Sequence, residues 1–469
     1  MLLSIWFFLA GLALGTPPAP PLTVLSGHLT HAPAGDTVRV SVGQQRYKTV
    51  LSPRGDFRLV LKDLSAPVPA DFFYARQHAS LYLAPGDQLH LTLDFREFDK
   101  TLRFTGRGAT ANNYLAQAGW QFAYGPAADT LRPQPQLTPA TSPATMRQLA
   151  DTFRQRQVAF LAAYDQATPL PPAFRRDQEL GITLDWGTQL LDYVAYHRDH
   201  AAGATVPEAY FGFLRELPLA TLPTGRSQAE NTRVIRLVNS YQNRLAPSGT
   251  LSTDPAAAGR LYALAAAELG TTALRDLAMY QLLSWKLDDD LPGVLAAYPT
   301  FRALNHDSAY ARSLHAILAK RVLLAVGRPA PAFSLRDNTG RTVTLQDLRG
   351  KVVYLDFWGT WCPPCMKEMT GFSHALKQKF EGRDVVFVYI SVGDAEAKWQ
   401  QVLASQHLTS PNSVHLRQPK EGQVAFDYQI NAYPTYWLIG RDGRILDMQA
   451  PRPSDGPKTV AALEAALQQ

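Results

Sequence analysis

Cysteine is almost missing from this sequence: Cys362 and Cys365 are the only two among 469 residues. A structural zinc site needs about four ligands, and neither a second cysteine pair nor a spaced histidine pair stands ready to supply the rest. A disulfide framework is excluded too, because two cysteines three apart close a loop too short to constrain much of the unfolded chain. Long apolar runs are also lacking. MLLSIWFFLAGLALG at residues 1–15 falls short of the roughly 20 residues that cross a bilayer, and no other segment comes close. Basic clusters are absent: 46 Lys and Arg against 40 Asp and Glu give +6, yet the longest basic runs are pairs such as Arg175-Arg176. A nucleic-acid surface needs that charge gathered on one face. Asp288-Asp289-Asp290 runs into Leu291-Pro292 and reads as a helix cap with proline in the first turn, not as a calcium loop with ligands over about twelve residues.

What is present falls into four stretches, in keeping with about three domains at ~150 residues each. Residues 1–15 end in the small-x-small pattern Ala13-Leu14-Gly15 and read as a signal peptide cleaved after Gly15; the lack of Lys or Arg at its start leaves an uncleaved anchor as the alternative. Residues 22–105 carry short alternating runs at Thr37–Val42, Phe57–Leu61, Leu81–Leu83 and His90–Phe95. Turn signals at Ala34-Gly35-Asp36, Pro53-Arg54-Gly55-Asp56 and Pro85-Gly86-Asp87 separate them, which predicts a small antiparallel β-sandwich. His28 and His31, three apart on a strand, point to opposite faces and make a poor metal pair.

Residues 109–325 are rich in Ala, Leu, Gln and Arg at helical spacing. Helices are expected at Thr145–Gln166, Arg176–His200, Glu208–Leu214, Ser227–Arg244, Ala256–Leu269, Thr271–Lys286, Pro292–Tyr298 and His306–Val326, with the proline-rich Gly125–Pro143 as a loop. Trp186, Tyr193, Tyr196 and Phe211 could line a groove, but aromatics at this spacing more often build a core. His197-Arg198-Asp199-His200 reads as a frayed, solvated helix end.

Residues 326–469 hold the two cysteines. Val352-Val353-Tyr354-Leu355-Asp356-Phe357 is a near-continuous apolar run, as in a buried parallel strand. After the cysteines, Met366, Met369, Phe372, Leu376 and Phe380 recur as on one helix face. Cys362 therefore stands where a strand hands over to a helix. The free amides and positive dipole end there favour an anion, and the thiolate is the reactive form of cysteine, so the Cys362 pKa should be lowered. Cys365 lies one turn along the same face, placed to attack a mixed disulfide. Pro363 and Pro364 fit the first turn, whose amides have no intrahelical acceptor. C-x-x-C beside a βαβ pattern is a thiol-redox signal.

Gly327-Arg328-Pro329-Ala330-Pro331-Ala332-Phe333-Ser334-Leu335, with Asp337, Gly340 and Leu348-Arg349-Gly350-Lys351, resembles the opening of the TlpA/ResA-type and peroxiredoxin branches of the thioredoxin superfamily. A peroxiredoxin would carry Pro and Thr where Leu355 and Gly359 stand; Trp361-Cys362-Pro363-Pro364-Cys365 is similar to the thiol-disulfide oxidoreductases instead. The resemblance implies that Asp356 is the buried acid that takes a proton during resolution. It likewise implies that Tyr433-Pro434-Thr435 is the cis-proline loop pairing with substrate backbone, that Glu368 tunes the thiols, and that Trp361 walls the groove. It extends to the frame: a second buried strand at Val385–Ser391, a helix at Asp394–Gln406, an inserted strand at Asn412–Arg417, a hairpin about Arg441-Asp442-Gly443 and a last helix at Lys458–Gln469. Residues 22–105 also resemble the β-domain found ahead of such domains in exported bacterial proteins, through Gly55-Asp56-Phe57, the Leu83–Leu89 hairpin and the Phe104-x-Gly106-x-Gly108 exit.

The expected fold is thus multidomain: an N-terminal β-sandwich, an all-α middle region and a C-terminal α/β thioredoxin-like domain at 326–469. The expected function is a thiol-disulfide oxidoreductase that reduces disulfides of exported proteins. A disulfide-containing protein is its substrate, and the family resemblance implies a membrane thiol-relay reductase as electron donor. No cofactor, metal, nucleic acid or stable membrane insertion is expected, and the compartment is periplasmic or otherwise exported. Two alternatives stand beside this reading: an oxidant of the same fold that installs disulfides, and a partner-binding scaffold whose thioredoxin fold is vestigial.

Overall fold

A computed structural model of the chain describes residues 22–33, 35–62, 64–201, 205–222, 228–288, 290–419 and 422–469. The expected signal peptide at 1–15, and with it Thr16, lies outside the described residues, as do Ala34 and Asp289. The chain forms two compact units, one ending at Ala311 and one spanning Arg312–Gln469.

The first unit begins with eight strands: β1 (Thr23–Thr30), β2 (Thr37–Val42), β3 (Gln45–Val50), β4 (Asp56–Leu61), β5 (Val68–Tyr74), β6 (Gln77–Leu83), β7 (Gln88–Asp94) and β8 (Arg103–Arg107). They make two sheets, ordered β4-β1-β7-β8 and β3-β2-β5-β6. Alternation along β7 turns Leu89, Leu91 and Leu93 inward, where they share one core with Val38, Val40, Phe72 and Leu81 of the other sheet. Phe57 and Phe72 join the two sheets at 5.8 Å between ring centroids. The sandwich is not wholly antiparallel as expected, because β1 and β7 run parallel. After β1 the chain visits the second sheet twice, returning first as antiparallel β4 and then as parallel β7, an arrangement that alternation within a strand does not reveal. His28 and His31 each pair with a carboxylate, Asp56 at 2.8 Å and Asp94 at 3.0 Å.

The helical region of this unit starts with a helix at Ala109–Gly119 that docks on both sheets. Asn112 exchanges two backbone hydrogen bonds with Tyr82 on edge strand β6, and Asn113 does the same with Phe104 on edge strand β8. Side-chain amides thereby pair edge groups that would otherwise be open to another strand. The longer helices lie close to expectation at Pro143–Ala167, Pro172–His200, Gln228–Leu245, Pro255–Leu269 and Thr272–Lys286, as does Ser308–Leu323, most of which belongs to the second unit. Leu291–Leu304 outruns the expected Pro292–Tyr298, continuing through Pro299, and Asp290 caps it by accepting from the Gly293 amide at 3.1 Å. Glu208–Glu216 is a 3-10 helix, and the expected loop at Gly125–Pro143 contains short helical turns at Ala128–Leu131 and Gln134–Gln136. Trp186, Tyr193 and Phe211 are core. The expectation of a solvated end at His197 is corrected: its ring is buried, and Nδ1 lies 3.0 Å from the Tyr193 hydroxyl.

The second unit is built on a seven-stranded sheet of β9 (Ser334–Asp337), β10 (Thr342–Thr344), β11 (Val352–Trp358), β12 (Val385–Val392), β13 (Ser413–Gln418), β14 (Thr435–Ile439) and β15 (Ile445–Asp447), ordered β10-β9-β13-β12-β11-β14-β15. Central β11 and β12 are parallel and buried at every position, so their sequences are near-continuous apolar runs, as in sheets covered on both faces. Along β11, Val353, Leu355 and Phe357 enter one core, while Val352, Tyr354 and Trp358 enter the other together with Cys362 and Cys365. Asp356 shares the face of Tyr354 and Trp358 by the two-residue period of a strand, and so lies beneath the cysteine helix. The single helix expected from Met366 to Phe380 is in fact two, Pro363–Gly371 and Ser373–Lys379, broken at Phe372, whose φ is −130°. Met369, Leu376 and Phe380 are buried as the spacing predicts, but the break turns Phe372 outward.

Candidate functional site

Strand β11 ends at Trp358, and four residues later Cys362 caps the Pro363–Gly371 helix from an extended conformation, φ −104° and ψ 99°. Its Sγ accepts from the Cys365 amide at 3.2 Å. Pro363 and Pro364 occupy the first turn and have no N–H to offer, so Cys365 supplies the first-turn amide that reaches this sulfur. The two cysteines form a disulfide, with Cα atoms 5.3 Å apart. Both are buried, Cys362 at 4% exposure and Cys365 at 1%.

The loop before Cys362 is tied to the end of β12. Asp394 accepts from the Thr360 amide at 2.8 Å, the Thr360 hydroxyl at 2.6 Å and the Ser391 hydroxyl at 2.6 Å. The Trp361 indole donates to the Val392 carbonyl at 3.0 Å and packs edge-on against Tyr433 at 5.1 Å, with about half its surface exposed. A Cβ at Gly359 would lie 2.4 Å from the indole nitrogen, so no larger residue fits there without moving Trp361. Sequence reasoning passed over Asp394 as a helix start. The signal that could have found it is its place just past the carboxyl end of β12, beside β11, where open parallel sheets gather ligand groups.

Tyr433-Pro434 is a cis peptide, and β14 begins at Thr435, whose backbone pairs with Phe357 of β11. Thr435 Oγ1 is turned back to the Ala432 carbonyl at 2.7 Å. Burial pushes the Tyr433 hydroxyl pKa up.

Asp356 is fully buried, and both its oxygens lack a partner in hydrogen-bond geometry among the described residues. Its neighbours across the sheet are tyrosines on both sides, Tyr389 on β12 and Tyr436 on β14. Burial, with the nearby Glu368 charge as the lesser cause, holds the Asp356 pKa well above the usual carboxylate range. Glu368 is buried too, and Ser454 binds it from both its amide, 3.0 Å to Oε2, and its hydroxyl, 2.7 Å to Oε1. The eight expected site residues thus form two groups. Trp361, Tyr433 and Thr435 lie toward the surface; Pro434, Cys362, Cys365, Asp356 and Glu368 are buried. Among the described residues, no group of three or more His, Cys, Asp or Glu is placed to hold a metal ion, and no helix is long and apolar enough to cross a membrane.

This arrangement can carry dithiol–disulfide exchange: a capped sulfur at the helix start, a second sulfur one turn inside, and two buried carboxyls below. Residues 325–467 match the family described as Redoxin. A thiol-disulfide oxidoreductase ResA of Bacillus cereus is 30% identical over 150 residues, covering 32% of this chain and 81% of that protein. ResA of Bacillus subtilis (strain 168) is 32% identical over 132 residues, covering 28% of this chain and 71% of that protein. Among solved structures, the thioredoxin domain of a thiol-disulfide oxidoreductase from Bacteroides vulgatus is 24% identical, covers 30% of this chain and 97% of its own, and has a TM-score of 0.27.

Proposed function

Because this chain belongs to the ResA family of thiol-disulfide oxidoreductases, we propose that its Cys362–Cys365 pair works as a reductant of disulfides in exported proteins. The Cys362 thiolate attacks one sulfur of a substrate disulfide, and the other substrate sulfur leaves as a thiolate that takes a proton. Cys365, having passed its own proton to Asp356, then attacks the Cys362 sulfur of the mixed disulfide, and the second substrate sulfur leaves. Two electrons pass to the substrate, and the cysteines end as the disulfide. Trp361 and Tyr433 wall the groove in which the mixed disulfide forms, and the Tyr433-Pro434-Thr435 loop receives substrate backbone. Glu368 assists proton handling at Cys365. A membrane dithiol reductase of the relay type restores the reduced pair.

The observation that carries the direction is the cap itself. The Cys365 amide and the helix dipole are what the first turn offers Cys362 Sγ, because the two prolines between the cysteines bring no donor. A thiolate so modestly held has a pKa nearer the ~7 of thioredoxin than the ~3.5 of a strong oxidant. The export assignment rests on the apolar stretch at 1–15, and material from an exporting host should begin at or near Thr16 on N-terminal sequencing.

Insulin reduction with dithiothreitol tests the activity. The wild-type chain should accelerate precipitation of the insulin B chain and Cys362→Ser should not. Cys365→Ser should leave substrate proteins joined to Cys362 by bonds that dithiothreitol releases. Equal rates for wild type and Cys362→Ser would leave a scaffold as the surviving reading.

A further inference from the structure

The proton that Cys365 gives up has a destination in Asp356 but, on the face of it, no way out. Asp356 is fully buried, and a carboxyl sealed from water cannot return to its starting state between turnovers unless something passes its proton on. Buried polar atoms in folded proteins are nearly always hydrogen-bonded, and those that are not call for a reason. Three such atoms stand together here: both oxygens of Asp356 and the hydroxyl of Tyr436. These two residues are register partners on β11 and β14, and opposite side chains on paired strands have Cβ atoms about 4.5–5.5 Å apart. The Tyr436 hydroxyl is near enough to favour the Asp356 carboxylate, though it falls short of hydrogen-bond geometry.

Every titratable group that faces Asp356 narrows the choice of conduit. On its own strand Tyr354 is committed, its hydroxyl donating to the Pro451 carbonyl at 2.6 Å. From β12, Tyr389 lies beside Asp356 and its hydroxyl is turned to Ser373 of the neighbouring helix. From the cysteine helix comes Glu368, whose charge is felt by Asp356, Tyr354 and Tyr436 alike. Asp455 acts only at a distance, on Tyr354. Tyr436, opposite Asp356 on the paired strand, is therefore the uncommitted hydroxyl among these groups. Glu368 in turn is bound by Ser454, which is exposed.

We propose that Tyr436 is a proton relay for the resolving step, linking Asp356 to Glu368 and through Ser454 to solvent. The relay rests on the reading of Asp356 as the proton acceptor given above. In it, Cys365–SH loses its proton to the Asp356 carboxylate and becomes the attacking thiolate. The Asp356 carboxylic acid then passes that proton to the Tyr436 oxygen as Tyr436 releases its own hydroxyl proton to the Glu368 carboxylate. Tyr436 ends neutral, Asp356 is a carboxylate again, and Glu368 exchanges its proton with water at Ser454. No electrons move in the relay. When a dithiol donor reduces the Cys362–Cys365 disulfide, the same path runs backwards and reprotonates Cys365. Tyr436 touches neither substrate nor sulfur in this scheme, and acts through Asp356.

Its place in the chain suits the task. Tyr436 follows Pro434 and Thr435 directly, so the strand that receives substrate backbone also carries the relay hydroxyl, and its ring is held by stacking on Tyr354 at 5.4 Å. Phenylalanine keeps that ring and removes only the hydroxyl.

The test is single-turnover oxidation of the reduced full-length chain by a small peptide disulfide, followed through Trp361 fluorescence from pH 5.5 to 9, which separates attack by Cys362 from resolution by Cys365. Tyr436→Phe should slow resolution about tenfold or more, on the order of a lost proton-transfer partner, and flatten its pH profile, while attack keeps its wild-type rate. Tyr354→Phe, with an already committed hydroxyl, should resolve at the wild-type rate. If Asp356→Asn is slow but Tyr436→Phe resolves normally at every pH, the relay is overturned and the Asp356 reading stands. If Asp356→Asn also resolves normally, both fall. Slow resolution in Tyr354→Phe to the same degree would mean loosened packing and would overturn the relay as well.

Discussion

Ser454 binds both oxygens of Glu368 from 86 residues along the chain, its amide at 3.0 Å and its hydroxyl at 2.7 Å. Glu368 stands one helical turn past Cys365, so this clasp fixes a buried carboxyl beside the resolving sulfur. Hydrogen bonds to charged groups contribute roughly 1.5–3 kcal/mol. Ser454→Ala, which keeps the amide bond and removes the hydroxyl, should lower unfolding free energy by about 1.5 kcal/mol in urea titration. An unchanged midpoint would mean that Glu368 is solvated and free of the clasp.

Asp356 gives a pH dependence whose sign is fixed. Its folded pKa lies well above the ordinary 3.8, chiefly through burial. Over the range from 3.8 up to the folded value, the native state holds a proton that the unfolded state has released. Stability contributed by this group is full below that range and falls as pH rises through it. Asp356→Asn should therefore melt higher than wild type at pH 8, with the gap closing toward pH 4. A gap that widened on acidification would reverse the assignment.

Asp394 holds Thr360 by amide and hydroxyl, and so sets the loop that delivers Cys362. Asp394→Ala leaves the Thr360 amide and the Ser391 hydroxyl without their acceptor. The expected loss is about 3 kcal/mol, and misplacing the sulfur should slow its alkylation by iodoacetamide about tenfold. Wild-type melting and alkylation together would show that Trp361 alone secures the loop.

How much of this was legible in the sequence follows from the range of each interaction. The C-terminal domain read well because β11 and β12 are buried on both faces and so announce themselves as apolar runs, and because Cys362, Pro363 and Pro364 lie within one local cap. Most of the longer middle helices read to within a few residues, their apolar faces repeating at short range, but Ala109–Gly119 was not expected and Leu291–Leu304 runs six residues past its expected end. Strands β1, β3, β5 and β8 did not: Ser26-Gly27-His28 in β1 and Gln45-Arg46 in β3 break the apolar alternation, and these strands are held by partners distant in sequence. The parallel pairing of β1 with β7 is a property of topology, invisible to spacing. Phe372 shows the converse error, since it repeats in register with Met369 and Leu376 yet sits at a break between two helices. Asp394 and Ser454 were missed for one reason: each reaches the site from 34 and 86 residues away, by way of the sheet order.

The reduction potential of the Cys362–Cys365 pair tests most directly whether it is a reductant. The full-length chain would be equilibrated with glutathione buffers and the reduced fraction read by Trp361 fluorescence, the indole lying next to Cys362. A potential well below the about −180 mV of protein disulfide isomerase, toward the about −270 mV of thioredoxin, is predicted. A value above about −180 mV would contradict the account and make the protein a donor of disulfides.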